Sequence, residues 1–159
     1  MIRAVGTDLV DVTRLEGYMD RVPGLRERLF TSVELAVCQR RAASLGARLA
    51  AKEAVLKALG SAYAELGLDA PEGWAYQDIE VTSTPGTPPR LRLTGAAAMA
   101  ARQAGIGHWH LSLAHDGGMA QAFVVAQADH VDNDDDLALS SQRSEARVKP
   151  QVKSLRPAL

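Results

Sequence analysis

The sequence predicts an α+β domain with a small antiparallel sheet, one long helix and several short helices. Three observations lead to this prediction. Alternating polar and apolar segments recur along the chain, one longer segment repeats apolar residues at three- and four-residue steps, and a glycine turn joins the last two alternating segments. Alternation is typical of half-buried strands, the longer repeat is typical of a helix, and a tight turn joins antiparallel neighbours.

The first third of the chain predicts one strand followed by short helices. Residues 2–7 form the strand, and a helical segment follows over residues 11–22, with Asp11 or Asp8 available as its cap. Pro23 and Gly24 break that segment before a short helical piece over residues 25–30. Thr31 and Glu34 have the spacing of a capping box, which predicts that a further helix begins there.

The long helix is predicted from about residue 44 to Leu59. Leu45, Leu49, Leu56 and Leu59 lie on one face of it, and Gly60 stands where helices commonly end. The segment after it, residues 61–76, contains Gly67, Pro71 and Gly73 and predicts a loop with one irregular turn.

The second half predicts two pairs of strands with a helix between them. Its predicted elements are strands over residues 78–82 and 90–93, an Ala-rich helix from Thr94 to Gly105, and strands over 109–114 and 119–126. Asp116, Gly117 and Gly118 supply the hairpin turn of the last pair.

Composition indicates one domain with a polar tail. The chain has 159 residues and is 47% hydrophobic, enough to bury a core, and we assign the domain to residues 1–128. Residues 129–159 have little apolar periodicity, and we expect them to be disordered. The single cysteine, Cys38, excludes an internal disulfide framework. With no membrane-length apolar run and no signal peptide, we expect a cytoplasmic protein.

The net charge of −1 conceals a locally basic region. Between Arg14 and Lys52 there are four acidic residues and eight basic ones: Arg14, Arg21, Arg26, Arg28, Arg40, Arg41, Arg48 and Lys52. Two explanations are open at this point, an acidic partner or ordinary solvated helix faces. The net charge and the 4% aromatic content argue against a nucleic-acid-binding protein.

Three charged residues stand out as candidates for chemistry. Glu53 and Lys57 are four apart and so share a helix face, and Asp8 follows an apolar strand. Each has an ordinary alternative, a surface ion pair for Glu53 with Lys57 and a helix cap for Asp8. Two carboxylates near basic groups also suit a divalent cation that is held against a phosphate-bearing substrate.

Other motifs are weaker or absent. His115 follows a strand at the edge of the glycine turn, where a solvent-facing histidine is the ordinary alternative to a catalytic one. The sequence has no histidine and cysteine cluster with zinc-ligand spacing, no Walker loop and no G-x-G-x-x-G motif. Any nucleotide must therefore be held in another way.

Taken in order along the chain, four motifs resemble the holo-[acyl-carrier-protein] synthases, the small single-domain class of 4′-phosphopantetheinyl transferases. They are Gly-Thr-Asp from Gly6, Arg-Leu-Ala-Ala-Lys-Glu-Ala-x-x-Lys-Ala-Leu-Gly from Arg48, Asp-Ile-Glu-Val from Asp78 and His-Leu-Ser-Leu-Ala-His from His110. The resemblance covers residues 2–127. The Lys-Glu-Ala helix together with Asp8 is its most specific part.

The resemblance implies a reaction and a set of residue roles. The enzyme would transfer the phosphopantetheine arm of coenzyme A, its substrate, to a serine of apo acyl carrier protein and release 3′,5′-ADP. By the family match, Asp8 and Glu53 hold Mg²⁺, and Glu53 also accepts the serine proton through a water. Lys57 stabilises the pyrophosphate as a point charge. The remaining implied coenzyme A contacts are Arg48 and His115, with Ser112 and Asp116 nearby.

The resemblance also implies partners. Acyl carrier proteins are acidic, which would explain the basic region, with Arg14 as the first candidate for docking and Arg21, Arg26 and Arg28 as further ones. The family is typically a homotrimer with active sites at subunit interfaces. Two arrangements are therefore open for the hairpin with His115: it contributes to the site of its own chain or to that of a neighbouring chain.

One turn departs from the family pattern. Members often have Gly-Lys-Pro before the second central strand, whereas this chain has Gly86-Thr87-Pro88 and therefore one basic contact fewer. We expect a magnesium-dependent phosphopantetheinyl transferase. The alternative is a non-catalytic coenzyme A-binding trimer, which would have no need to keep Asp8, Glu53 and Lys57 together.

Overall fold

The computed structural model describes residues 1–39, 41–84 and 86–129. The predicted tail lies outside the described residues except for Asp129, and so does Arg40. The helices and strands in chain order are β1 (Ile2–Asp11), α1 (Val12–Arg21), α2 (Leu25–Leu29), α3 (Ser32–Cys38), α4 (Ala42–Glu65), β2 (Ile79–Thr82), β3 (Arg90–Leu93), α5 (Gly95–Gln103), β4 (Ile106–Asp116) and β5 (Met119–Ala128). One 3-10 turn, Tyr76–Asp78, precedes β2.

The strands form two antiparallel sheets, which confirms the predicted α+β class. The larger sheet has the order β1-β5-β4, so β5 lies between the first strand and its own hairpin partner. Thr7 pairs with Phe123 on one side of β5, and Ser112 pairs with the same residue on the other. The smaller sheet is the β2-β3 pair.

Helix α4 lies at the centre of the core and packs on one face of the larger sheet. Ala50, Ala54 and Ala58 on the helix are fully buried, and so are Ala122 and Val124 on β5. Small side chains on both surfaces let the helix and the sheet approach closely. This packing explains how a chain with few aromatic residues closes a core.

The largest difference from the sequence-based prediction is the length of α4. The predicted stop at Gly60 is wrong, because the helix continues to Glu65 and includes the first residues of the predicted loop. Gly60 is exposed, whereas Ala62 and Tyr63 beyond it are buried in the core. Their burial stabilises the last turns by more than the roughly 1 kcal/mol that a glycine costs in a helix.

The strands of the larger sheet are also longer than predicted. β1 continues to Asp11 and β4 runs from Ile106 to Asp116, because each pairs with β5 along its length. For β1 the paired residues on β5 are more than a hundred positions away, and for β4 they are 3 to 22 positions away across the hairpin. A local pattern of apolar residues therefore understates the length of these strands.

The helix starts behave as predicted, with one exception. Asp11 is the cap of α1 and accepts the backbone N–H of Arg14 at 2.9 Å. Thr31 and Glu34 form both hydrogen bonds of the capping box at α3. Thr94 precedes α5 but makes no capping hydrogen bond with its side chain.

Among the described residues, no helix combines the length and the apolar character that a membrane span requires.

Candidate active site

The site begins with Gly6, which lets β1 lie directly on α4. A Cβ atom at this position would be 1.9 Å from the carbonyl oxygen of Ala54. Only glycine permits such an approach. Asp8, two residues later, is on the same face of the strand and is therefore directed toward the next turn of α4.

Asp8 forms an ion pair with Lys57 of α4. The Lys57 Nζ atom lies 2.7 Å from the Asp8 Oδ1 atom, and their side chains are 56% and 17% exposed. The ordinary alternative, a pair between Glu53 and Lys57, is not formed among the described residues. Asp8 is not the cap of α1 either, since Asp11 has that position.

Glu53 is bound by a residue that the sequence did not single out. The Tyr76 hydroxyl donates a hydrogen bond to the Glu53 Oε1 atom. Burial raises the pKa of the Tyr76 phenol, and the hydrogen bond to Glu53 and the charges of Glu53 and Asp8 raise it further. The phenol therefore remains a proton donor throughout the physiological range. Tyr76 lies in an irregular segment without periodicity, so no local signal pointed to it.

Asp8 and Glu53 line one groove of about 290 Å³ beside α1. Its other lining residues are Leu9, Val10, Asp11, Arg14, Leu15, Tyr18 and Leu49. Of the four arginines predicted to dock a partner, Arg14 is the one that lines this groove.

Next to Glu53 on α4, Lys52 is fully buried in a charged cluster. The Lys52 Nζ atom lies 2.8 Å from the Glu34 Oε2 atom and donates hydrogen bonds to the carbonyls of Tyr76 at 2.9 Å and Ile79 at 2.6 Å. Burial lowers the pKa of Lys52, whereas Glu34 and Glu80 oppose that shift. We assign the ammonium form to Lys52 at neutral pH, because three acceptors surround it.

Arg48 does not line this groove. Its side chain is buried and donates hydrogen bonds to the Ser44 carbonyl at 3.2 Å and to the Ser83 hydroxyl at 2.9 Å. The Arg48 Nε atom is buried without a partner among the described residues. Ser83 is one of the lining residues of a second groove of about 290 Å³. The others are Thr82, Thr84, Thr87, Pro88 and Arg90.

The hairpin residues lie apart from Asp8 and Glu53 within one chain. His115 and Asp116 line a separate groove of about 180 Å³ at the end of the β4–β5 hairpin. Ser112 is exposed and pairs with Phe123 across the sheet. The structure thus brings together Asp8, Glu53 and Lys57 but not the hairpin residues.

The remaining candidate arginines have different surroundings. Arg26 forms an ion pair with Asp20 at 3.0 Å, and Arg21 stacks over the Tyr18 ring at 5.3 Å. Arg28 is exposed. Arg21 and Arg28 therefore present their charge at the surface beside α1 and α2.

The donor set of the groove fits a magnesium ion. In the described part of the chain, no group of three or more His, Cys, Asp or Glu side chains is close enough to hold a metal alone. Mg²⁺ is usually bound by one or two carboxylates together with water and substrate phosphates. Asp8 and Glu53 supply two carboxylates in one groove, so the residues present match that requirement.

Comparison with known proteins gives a consistent family. Residues 4–128 match the family described as the 4′-phosphopantetheinyl transferase superfamily. A holo-[acyl-carrier-protein] synthase of Kocuria rhizophila is 44% identical over 135 residues, which are 85% of this chain and 100% of that protein. A holo-[acyl-carrier-protein] synthase of Frankia casuarinae is 47% identical, covering 77% of this chain and 95% of that protein.

Solved structures show the same fold. The acyl carrier protein synthase of Mycobacterium tuberculosis is 34% identical with a TM-score of 0.63, covering 81% of this chain and 100% of that one. The synthase of Chronobacterium ammoniagenes in complex with coenzyme A is 28% identical with a TM-score of 0.70, covering 80% of this chain and 98% of that one.

Proposed function

The chain belongs to the 4′-phosphopantetheinyl transferase superfamily and has the activity of a holo-[acyl-carrier-protein] synthase, and we propose that the groove lined by Asp8 and Glu53 is its active site. The reaction transfers the phosphopantetheine arm of coenzyme A to a serine of apo acyl carrier protein and releases 3′,5′-ADP. The serine oxygen forms a bond to the phosphorus that bears the pantetheine arm. The bond to the bridging oxygen of the pyrophosphate breaks.

One observation carries the assignment of the active site. Asp8 and Glu53, 45 positions apart in sequence, line one groove, and Lys57 is in direct contact with Asp8. A bound Mg²⁺ ion would neutralise charge on the phosphate oxygens, which is the main requirement of phosphoryl transfer. Asp8 and Glu53 would hold it.

Lys57, which pairs with Asp8 beside the groove, and Glu53 have further proposed roles. Lys57 is more than half exposed, so its ammonium group can leave Asp8 and bind a pyrophosphate oxygen as the substrate enters. Glu53 is the proton acceptor for the attacking serine, through one water.

Arg48 is proposed to bind a phosphate group of coenzyme A. Its buried Nε–H has no partner within the described part of the chain and is a donor that an anion would satisfy, and Ser83 beside it borders an open groove. Thr87 lines the same groove in place of the lysine common in the family.

Acyl carrier protein is proposed to dock on α1 and α2. Arg14 lines the groove itself, and the exposed Arg21 and Arg28 extend the basic surface from it. Arg26 contributes less, since Asp20 already neutralises it. An acidic partner is attracted to such a surface and guided toward the groove.

The protein is proposed to act as a homotrimer. Val5, Leu9 and Phe123 are between 46% and 56% exposed on the sheet face opposite α4, and such an apolar face favours association. A neighbouring subunit would supply His115, Ser112 and Asp116, which lie apart from Asp8 and Glu53 within one chain. We also propose a cytoplasmic location and a role in fatty acid biosynthesis, in keeping with the reduced, buried Cys38 and with the carrier-protein substrate.

The test is to mix the protein with apo acyl carrier protein, coenzyme A and Mg²⁺, and to weigh the carrier protein by mass spectrometry. A gain of one phosphopantetheine arm that a chelator abolishes is the expected result. A gain that persists with chelator would disprove the metal requirement. No gain with fatty-acid and polyketide carriers alike, from folded enzyme, would favour the non-catalytic binder.

A further inference from the structure

The contact between Tyr76 and Glu53 joins two parts of the chain that are 23 residues apart. Its donor is the phenol at the start of the 3-10 turn, and its acceptor is the carboxylate on α4. Among the described residues, Tyr76 is the hydrogen-bond partner of the Glu53 side chain, because Lys57 is turned to Asp8 instead. The orientation of the Glu53 carboxylate therefore depends on this phenol.

Tyr76 is itself held at its backbone. Its carbonyl accepts a hydrogen bond from the Lys52 Nζ atom at 2.9 Å, and the same nitrogen bonds to the Ile79 carbonyl at 2.6 Å. Its ring meets the Trp74 ring edge to face, with centroids 5.4 Å apart. Two consecutive residues of α4 thereby hold the 3-10 turn. The Lys52 side chain binds the backbone carbonyl of Tyr76, and the Glu53 side chain binds its hydroxyl.

Lys52 in turn has a fixed position. Glu34 lies 2.8 Å from it, and both side chains are completely buried. Glu34 accepts the backbone N–H groups of Thr31 and Val81, each at 2.9 Å. An apolar side chain could fill this space at a smaller desolvation cost, but it could not donate to the Tyr76 carbonyl.

We propose that Tyr76 is a positioning residue for the reaction: its hydroxyl holds the Glu53 carboxylate in the groove beside Asp8, and the buried Lys52 holds Tyr76 in place. The inference rests on the proposed function, because it assumes that Glu53 binds the metal. Groups that hydrogen-bond to a metal ligand fix its orientation and typically contribute 10–100-fold to metal affinity or activity.

The experiment compares Tyr76→Phe with Tyr63→Phe. Tyr76→Phe removes the hydroxyl but keeps the ring against Trp74. Tyr63 is the matched control, because it is a buried tyrosine of α4 and its hydroxyl donates to the Gln103 Oε1 atom at 2.6 Å, and neither residue lines the groove. Mn²⁺ binding is measured by electron paramagnetic resonance, which does not depend on turnover, and transfer activity is then measured as a function of Mg²⁺ concentration.

The expected result is about 10–100-fold weaker Mn²⁺ binding for Tyr76→Phe and unchanged binding for Tyr63→Phe. The Mg²⁺ concentration for half-maximal activity rises in parallel, and activity at saturating Mg²⁺ recovers toward the wild-type level. In a Glu53→Gln background, Tyr76→Phe has no further effect, because its action passes through the Glu53 carboxylate.

Three outcomes overturn the inference. In the first, the wild-type protein binds Mn²⁺, Glu53→Gln abolishes that binding, and Tyr76→Phe binds Mn²⁺ as tightly as the wild type or more tightly. Tyr76 then does not position Glu53, but the proposed function still stands. If Tyr76→Phe and Tyr63→Phe weaken Mn²⁺ binding equally, the effect is a general loss of packing. If the wild-type protein does not bind Mn²⁺, the metal site of the proposed function fails, and the inference fails with it.

Discussion

At the residue scale, the partners of the charged groups decide the chemistry of the groove. Lys57 and Glu53 share a helix face, as their spacing predicts, yet each pairs with a residue from another element. Lys57 pairs with Asp8 of β1, and Glu53 pairs with Tyr76 of the 3-10 turn. The i,i+4 pair competes with these longer-range contacts and is worth only about 0.3–0.5 kcal/mol, so the tertiary contacts prevail.

Replacing Glu53 by Gln should remove most turnover and leave the fold intact. Gln keeps the size of the side chain but loses the charge that a metal ligand and proton acceptor needs. We expect a loss of more than about 100-fold in kcat/KM, since loss of a supporting residue alone costs 10–100-fold. The measurement is the rate of holo carrier protein formation. Glu65→Gln, at the exposed end of the same helix, is the control, and near-wild-type activity of Glu53→Gln would show that the metal site is misplaced.

Replacement by Met should lower mainly the stability of the protein at Lys52 and mainly its transfer activity at Lys57. Lys52→Met leaves the buried Glu34 without its charged partner, and breaking a buried pair costs about 3–5 kcal/mol of unfolding free energy. Lys57→Met removes an exposed partner, which costs about 1 kcal/mol or less, but it removes the proposed pyrophosphate contact and should lower kcat/KM. Urea unfolding and transfer assays on both variants test this, and equal loss of stability would contradict it.

Acid should weaken the contact between Glu80 and its neighbours. Burial alone would raise the pKa of Glu80, but hydrogen bonds from Thr31 and Arg92 and the charges of Arg92 and Lys52 outweigh it, so the pKa lies below its ordinary value. The Glu80 carboxylate therefore binds a proton less readily in the folded state than in the unfolded state. The stability that Glu80 contributes is complete above its unfolded pKa of about 4.3 and is lost as pH falls through its lower folded pKa.

This pH dependence can be measured by urea unfolding between pH 7 and pH 3. The wild type should lose more stability over this range than Glu80→Gln, which has no proton to gain at that position. Glu72→Gln, at an exposed site, is the control and should follow the wild type. Parallel curves for Glu80→Gln and the wild type would refute the assignment.

At the element scale, the contact between β1 and α4 positions the groove. Gly6 lets the strand lie on the helix at Ala54, and Asp8 and Lys57 then meet one turn further along. The 24-residue helix carries Arg48, then the adjacent Lys52 and Glu53, then Lys57. Their side-chain partners include, in that order, Ser83, Glu34, Tyr76 and Asp8. A shift of the strand away from the helix would separate Asp8 from Glu53 and Lys57.

Gly6→Ala should therefore be far more damaging than Gly60→Ala. An alanine Cβ at residue 6 would be 1.9 Å from the Ala54 carbonyl oxygen, whereas one at residue 60 has open space around it. We expect Gly6→Ala to lose about 1–3 kcal/mol or more, because β1 must move off α4. Gly60→Ala should gain about 0.5–1 kcal/mol from its higher helix propensity.

Thermal and urea unfolding test both variants, with transfer activity as a second readout. Gly6→Ala should also lose activity, because Asp8 moves with the strand. A Gly6→Ala variant with wild-type stability and activity would rule out the close approach of β1 to α4.

At the scale of the whole molecule, the larger sheet has two faces with different neighbours. One face covers α4 with small buried residues, and the other exposes Val5, Leu9 and Phe123. Apolar side chains on an open sheet face are typical of an interface. The same sheet carries His115 and Ser112, which lie apart from the Asp8 groove in one chain. Assembly would explain both observations.

Phe123→Asp should dissociate the proposed trimer. A charge at the centre of an apolar interface is costly because it is buried without a partner. Light scattering after size exclusion should give a trimer for the wild type and a smaller species for the variant, with at least 10-fold lower activity. Met99→Asp, which changes an exposed residue of α5, is the control. A monomeric wild type with full activity would disprove the trimer.

Local patterns predicted most of the elements and pointed to three charged residues of the groove, Asp8, Arg14 and Glu53. The capping residues Asp11 and Thr31, the two strand pairs and the long helix follow from neighbouring residues, because caps, alternation and helical spacing act over a few positions. Asp8, Glu53 and Lys57 were singled out because charged residues next to apolar segments are conspicuous in a sequence.

The tertiary structure alone decided which of these residues meet. The continuation of α4 past Gly60, the pairing of Lys57 with Asp8 and the contact of Tyr76 with Glu53 each depend on residues more than 20 positions away or on burial in the core. The sequence determined the types of residues and the local elements, since short-range hydrogen bonds and periodicity set them. The partners were decided by packing, because only the folded core determines which side chains are close enough to bond.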